Sequence, residues 1–466
     1  MKKPKIQLNF AYFAALAFLA AYCFFQFWYP YHLMRREQLG LFLFDWDFIR
    51  QTYVGSGWLA QFVCDFLEQF FRLPVVGPVV IAALLTGIGF VTYRIFRHFL
   101  GKWPCLAIAV ILYAWSFIRE TDNVYSTRYT LVVLGYLALL LAALSFKKAW
   151  MKPIAAVLLL GAGVWALGTP FDQEFGRVIA HPDIKMDKVI GMDTEVYREN
   201  WDKVLKLSRN DVFLTEESYC YNLAHGMKGD LPQALFNHPQ NYAKSLLFWS
   251  SSSPFQVGVV GEGWLRLGDI TLAEQCAIIS VISTPIHNGS RPVLRLAQCN
   301  MITGDDGAAQ KYLELLSKTL FYGKWARGIL KGNPDPATAK WLEESRARLA
   351  TTDVVYDENE FRPILQGLLE ANPSNTLARD YLLCYDLLRF ELGRFAEDYE
   401  WLGMPDAPIY KEALAVWLIQ QNILNEENLD KFGLDDAIAT RMQRFTRNPN
   451  AYKNTFWYYY FNAIED

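Results

Sequence analysis

The stretch FAYFAALAFLAAYCFFQFW, residues 10–28, holds no charged residue and closes on a cluster of aromatics. Its length is about what an α-helix needs to cross roughly 30 Å of hydrocarbon at about 1.5 Å per residue. The closing aromatics suit the level of the lipid headgroups. Lys2, Lys3 and Lys5 precede it, so a cleaved secretory signal is the competing reading. The apolar run is long for a signal core, and Tyr22 separates the small residues from Cys23, which a lipoprotein site would not allow. The run therefore reads as a membrane span.

Composition shows a chain of two characters. Of 466 residues, 52% are hydrophobic, 15% aromatic and only 20% charged. The mean hydropathy of +0.07 lies between a soluble enzyme and a chain that is all membrane. Residues 1–170 carry the long apolar runs, and 171–466 read as an ordinary globular sequence. The formal net charge of −3 offers no basic face for nucleic acid. The seven cysteines form no CxxC pair and no metal spacing. Their odd number argues against a disulfide framework, while one bridge among Cys220, Cys276, Cys299 and Cys384 stays open.

Four further spans are expected at 75–96, 105–117, 131–146 and 154–167, which makes five. Lys2, Lys3 and Lys5, then Arg94, Arg97 and Lys102, then Lys147, Lys148 and Lys152 fall on one side. Basic residues on the other side are spread thinly through longer loops. An excess of Lys and Arg marks the cytoplasmic side, so the N-terminus is expected in the cytoplasm of a bacterial inner membrane. Five crossings then put the C-terminal part in the periplasm.

The loop 30–74 is expected to hold two interfacial helices. In the second, Trp58, Leu59, Phe62, Val63, Phe66, Leu67 and Phe70 recur at helical spacing with Gln61, Asp65, Glu68 and Gln69 between them. The first, Arg36 to Tyr53, carries Asp45 and Asp47 in FDWDF. Two carboxylates among aromatics beside a bilayer allow two readings. They cap or solvate an interfacial helix, with Glu37, Arg35 and Arg36 as partners, or they do chemistry.

The order of span, acidic loop, interfacial helices and span resembles the opening of the C-type, polytopic glycosyltransferases. The resemblance implies a lipid-linked sugar donor and an essential acidic residue in the first outer loop, acting as general base or divalent-metal ligand. On this chain that role falls to Asp45 or Asp47. The family's membrane module has more spans than the five counted here.

Residues 171–466 show helical patterns and no extended alternation. The pattern Gly-Asp-x-x-x-Ala occurs at Gly229, Asp230 and Ala234, at Gly268, Asp269 and Ala273, and at Gly304, Asp305 and Ala309. In VVGEGWLRLGDITLAEQCAIISVISTP, residues 259–285, the positions of Gly261, Trp264, Gly268, Ala273 and Pro285 match the spacing of tetratricopeptide repeats. Small residues let two antiparallel helices approach, Gly-Asp makes the turn, and Pro ends the second helix. The copies are 39 and 36 residues apart (229, 268, 304), so the expected fold is all-α: a multi-span domain, 1–170, and an irregular helical-repeat solenoid, 171–466. A polar connection, 331–360, interrupts the array, and the aromatic tail NTFWYYYFNAIED is expected to bury itself in a last helix. The whole layout is similar to an uncharacterised family of Bacteroidota multi-span membrane proteins with a repeat-like outer domain, and that resemblance brings no activity.

GxSxG, HExxH and P-loop motifs are absent, and the six histidines are scattered. The spans hold almost no charge, which argues against an ion-coupled transporter. The leading expectation is a non-enzymatic scaffold that contacts membrane lipid and offers its repeat face to a protein or peptide, with no cofactor. The alternative is a membrane glycosyltransferase using Asp45 or Asp47, a divalent metal and a lipid-linked sugar.

Overall fold

The computed structural model describes residues 10–122, 126–169, 182–208, 214–249, 253–284, 288–350 and 360–463, and among these every regular element is a helix. The chain forms two compact units. The first comprises Met1–Ile190, Thr284–Arg291 and Glu314–Arg327, and the second Gly191–Ser283, Pro292–Leu313 and Gly328–Asp466. Neither unit is one continuous stretch.

In the first unit, α1 (Phe10–Cys23) runs on through a π-helical turn to Trp28. The short α2 (Pro30–Leu39), α3 (Trp46–Thr52) and α4 (Trp58–Glu68) follow. Then come α5 (Val76–Phe96), α6 (Lys102–Glu120), α7 (Thr127–Leu144) and α8 (Met151–Leu167). Among the described residues, four helices are long and apolar enough to cross a membrane: Phe10–Trp28, α5, α6 and α7. The stretch expected as a span at 105–117 is a longer helix of 19 residues, because Lys102 and the pair Arg119–Glu120 extend it at its two polar ends. The stretch expected at 154–167 lies in α8, whose 17 residues reach about 25 Å. Of the five, it alone is short for the hydrocarbon thickness.

Ala21, Phe25, Tyr29 and Leu33 pack against Phe71, Ile81, Ala82 and Leu85, all essentially inaccessible. In lipid, burial of apolar surface drives little, so close packing at small residues such as Ala21 and Ala82 holds the helices together. At the polar end Tyr29 donates through its hydroxyl to Thr121 O, 3.1 Å.

The expected interfacial helix from Arg36 to Tyr53 is instead α2, an extended stretch and α3. Gly40 is extended (φ −112°, ψ 154°). The backbone of this stretch bonds to distant segments: Ser290 N donates to Gly40 O at 3.0 Å, and Phe44 N donates to Lys318 O at 2.8 Å. Those bonds compete with the i→i−4 ladder and end the helix. The second expected helix is α4.

The second unit is built of short helices. Trp264, Trp457, Tyr219, Tyr381, Tyr410 and Phe395 are among its largest fully buried side chains. The aromatic tail forms the helix Phe456–Ala463 and buries Phe456 and Trp457, as its composition leads one to expect. Glu412 fixes that helix: its carboxylate accepts from Phe456 N and its carbonyl from Trp457 Nε1, both at 2.8 Å. The polar connection contains a helix of its own, Pro336–Arg346, whose Asp335 cap accepts from Thr338 N at 3.1 Å. All seven cysteines are free thiols, so no bridge joins Cys220, Cys276, Cys299 and Cys384.

Candidate functional site

Helix α4 places Glu68 one turn on from Cys64 (i,i+4) and Asp65 (i,i+3), so the three side chains converge. The thiol and one oxygen of each carboxylate lie within 4.8 Å of one another. Beside them is a cavity of about 20 Å³, lined among others by Glu37, Asp65, Glu68, Ser290, Thr319 and Tyr322. That volume holds about one water molecule. Glu37 is nearly inaccessible, and its Oε1 accepts from Ser290 Oγ and from Tyr322 Oη, each at 3.0 Å. Asp65 accepts from Tyr53 Oη at 3.0 Å and from Gln61 Nε2 at 2.7 Å.

Burial dominates the protonation of this cluster. It pushes the Asp65 carboxyl up to about 6, although hydrogen bonds from Tyr53 and Gln61 and the charge of Arg128 pull the other way. It pushes Glu68 up to about 7, against the lowering effect of Arg36. The Cys64 thiol is raised further, by burial and by the two neighbouring carboxylates. Two carboxyls held above their ordinary values by burial, beside a cavity, make this cluster a candidate for acid–base chemistry.

The same cluster has the makings of a metal site. Its donors are one sulfur and two oxygens, a mixed set ill-suited to Mg²⁺, which takes oxygen ligands in octahedral array. Burial also keeps a proton on the thiol, which metal ligation must remove. The donor set does not fit Mg²⁺.

Behind the cavity α2 buries a second network. Arg36 donates through Nη1 to Glu120 Oε2 at 2.6 Å and to Thr127 Oγ1 at 2.7 Å, and through Nη2 to Glu120 O at 3.2 Å. Thr130 Oγ1 donates to the other oxygen of Glu120. The ring Nε2 of His32 lies 2.9 Å from Glu120 O, which makes that nitrogen the donor. The start of α2 is capped from a distance: Asp187, on the helix Ile184–Tyr197, accepts from His32 N at 2.6 Å. Its burial pushes the Asp187 carboxyl up to about 7 despite backbone N–H groups that favour the charge.

Asp45 and Asp47 are not among the residues lining this cavity. Asp45 is the N-cap of α3: its Oδ1 accepts from Asp47 N at 3.0 Å and Phe48 N at 2.9 Å. Its Oδ2 lies 2.7 Å from Lys318 Nζ, and this hydrogen bond, with that from Phe48 N, holds the carboxyl below its ordinary value. Lys318 thus stands where Arg35, Arg36 or Glu37 were expected. Asp47 is exposed.

The three Gly-Asp turns share a left-handed glycine. Gly229, Gly268 and Gly304 have φ of 77°, 94° and 81°, a left-handed conformation that suits glycine. Asp269 accepts from Leu272 N at 3.0 Å and Asp305 from Ala308 N at 2.9 Å, each opening the next helix. Asp230 departs from this, binding His225 Nδ1 at 2.8 Å. Ala234, Ala273 and Ala309 are all buried, as is Trp264. Gly261 lies against Cys276: a Cβ placed there would come within 2.8 Å of the Cys276 Cβ. Pro285 lies outside the described residues.

Asp65 and Glu68 read in the sequence only as the wet positions of an amphipathic helix. Their cavity is completed by Ser290, Thr319 and Tyr322, more than 200 positions further on, and no local pattern in α4 announces them.

Among the described residues, an all-helical architecture with four helices fit to cross a membrane and a buried acidic cavity is the class these observations define. The chain belongs to the Family of unknown function (DUF6057), whose model matches residues 5–172 and 171–463. No curated protein and no solved structure matches it.

Proposed function

We propose that this protein is a membrane-anchored helical-repeat scaffold of the bacterial cell envelope. Its long apolar helices fix it in the inner membrane, and its second unit presents paired helices to a protein or peptide segment on the periplasmic side. The observation that carries this reading is the recurrence of one turn, left-handed glycine, aspartate and buried alanine, at three places in the sequence. Stacked helix pairs of tetratricopeptide type build extended faces suited to binding a partner. The distribution of Lys and Arg supports an N-terminus in the cytoplasm, and α8 as a fifth, short crossing would carry the second unit outside.

One observation favours a second reading. The Asp65–Glu68 cavity supports a group-transfer enzyme acting on a hydroxyl acceptor, in line with the resemblance to C-type glycosyltransferases. Asp65 or Glu68 would then be the base, alongside or in place of Asp45 and Asp47.

One experiment separates the two. Photo-crosslinking residues replace the exposed Ile278 and Ile282 of the helix Ile270–Ser283 in the full-length protein, and Asp65→Asn and Glu68→Gln variants are made beside them. The scaffold reading expects a discrete crosslinked partner, unchanged in the carboxylate variants, and complementation of a deletion strain by those variants. Loss of complementation at normal membrane abundance, with no crosslink from either position, would overturn it in favour of the enzyme.

A further inference from the structure

A second cavity, of about 260 Å³, opens among α1, α5 and α6. Its floor is made of small residues, Ala14, Ala17 and Ala20 of α1, Gly89 of α5 and Ala109 of α6, and no charged side chain lines it. Phe10 stacks on Tyr93 at 4.1 Å where α1 meets α5. Tyr113, on the wall, spends its hydroxyl on Ala17 O at 2.6 Å, so it offers no free donor to an occupant.

We infer that this groove binds an anionic phospholipid, one acyl chain lying along α1 and the phosphate at the basic end of α5 and α6. Three observations point to that occupant. First, the lining runs from Phe10 to Ala20 on α1, about 15 Å at 1.5 Å per residue, half of the roughly 30 Å hydrocarbon thickness and hence the depth of one leaflet. A single lipid chain fits that dimension, and a second copy of a spanning helix would require twice the length. Secondly, the groove's end toward Phe90 and Leu106 is one turn from charge: Arg94 stands on the last turn of α5 and Lys102 on the first turn of α6. Thirdly, Phe99 and Trp103 are about two-thirds exposed at this same end, the character of a headgroup-level belt. Apolar depth, cationic rim and aromatic collar together match a phospholipid with a net negative head.

Native mass spectrometry of the full-length protein tests this, using detergent micelles doped with either phosphatidylglycerol or phosphatidylcholine. The wild type should retain one phosphatidylglycerol in clear excess over phosphatidylcholine. Arg94→Gln and Lys102→Gln change residues at the surface edge of the bundle, so folding is not at stake. Each should cut the phosphatidylglycerol preference about five-fold, the effect typical of one cation near an anionic lipid surface, and leave phosphatidylcholine binding unchanged. Ala17→Leu with Ala20→Leu fills the groove and should remove the bound lipid of both kinds. Equal retention of the two lipids by the wild type, or an undiminished adduct in the filled variant, would overturn the assignment.

Discussion

The three Gly-Asp turns make one substitution informative at three places. Gly268→Ala should be far more damaging than Gly229→Ala or Gly304→Ala, though the motif letters are the same. All three glycines have positive φ, so each alanine meets the same left-handed strain, about 1–2 kcal/mol. At Gly229 and Gly304 a Cβ meets nothing within 4 Å, so strain is the whole cost. At Gly268 the Cβ would lie 1.9 Å from Arg348 O, a backbone atom that cannot swing aside. Relieving that contact moves the 348–350 segment. It endangers the bond from Ala350 N to Gly268 O at 3.3 Å and those of Asn375 Nδ2 to Leu267 O at 2.7 Å and to Arg348 O at 3.5 Å. At about 1 kcal/mol for each of the two shorter bonds, Gly268→Ala should lose about 3–4 kcal/mol in all. Guanidinium unfolding of the full-length protein in mild detergent, followed by tryptophan fluorescence, gives the comparison. Trp264, one of fifteen tryptophans, is fully buried one turn before Gly268, and the signal follows unfolding of the whole chain. Equal losses for the three variants would refute the argument that Arg348 closes on Gly268.

Other outcomes can be checked alongside. Arg36→Ala leaves Glu120, fully buried, without its countercharge, and thermal unfolding should show a loss of about 3–5 kcal/mol, while a double replacement of the pair by apolar residues should cost much less. The buried Asp187 holds a proton in the folded chain up to about pH 7, where an unfolded aspartate has released it by about pH 4. Its contribution to stability is therefore full below about pH 4, is lost as pH rises to about 7, and is flat above that. Asp187→Asn should remove this slope from a wild-type-minus-variant stability curve, and an unchanged slope would show that burial does not control the group. Asp45→Asn keeps an oxygen to cap α3, so membrane abundance and complementation should stay at wild-type levels. Loss of complementation at normal abundance would make Asp45 chemical. The thiols of Cys220, Cys276, Cys299 and Cys384 are buried and should resist iodoacetamide until the protein unfolds; rapid labelling of the native protein would show that the second unit opens.

What could be read from the sequence was what depends on neighbours along the chain. Residues 10–28 declare themselves because length and the absence of charge are local properties, and the left-handed turn at Gly268 is declared by Gly-Asp between two helical patterns. The end of α6 was hidden because Arg119 and Glu120 look like loop residues; they stay helical, and Glu120 is met by Arg36, 84 positions earlier. Asp45 as a cap was one of two readings of FDWDF, but its lysine partner comes from residue 318. The break at Gly40 and the acidic cavity share that cause. Their deciding partners are Ser290, Lys318, Thr319 and Tyr322, and nothing within the loop itself encodes them.

That dependence sets a timetable. The segment between α1 and α5 is complete only when residues 284–291 and 314–327 have joined it. A ribosome adds about 5–20 residues per second, so Glu37 waits roughly a quarter of a minute to a minute for Tyr322 to be made. Through that interval Glu37, Gly40 O and Phe44 N face solvent or lipid headgroups instead of their final partners. A chain cut short at residue 283 would keep every long apolar helix and still lack the groups that finish its first loop. Insertion into the membrane can thus run well ahead of folding at its surface, and quality control has a long window in which to see the difference.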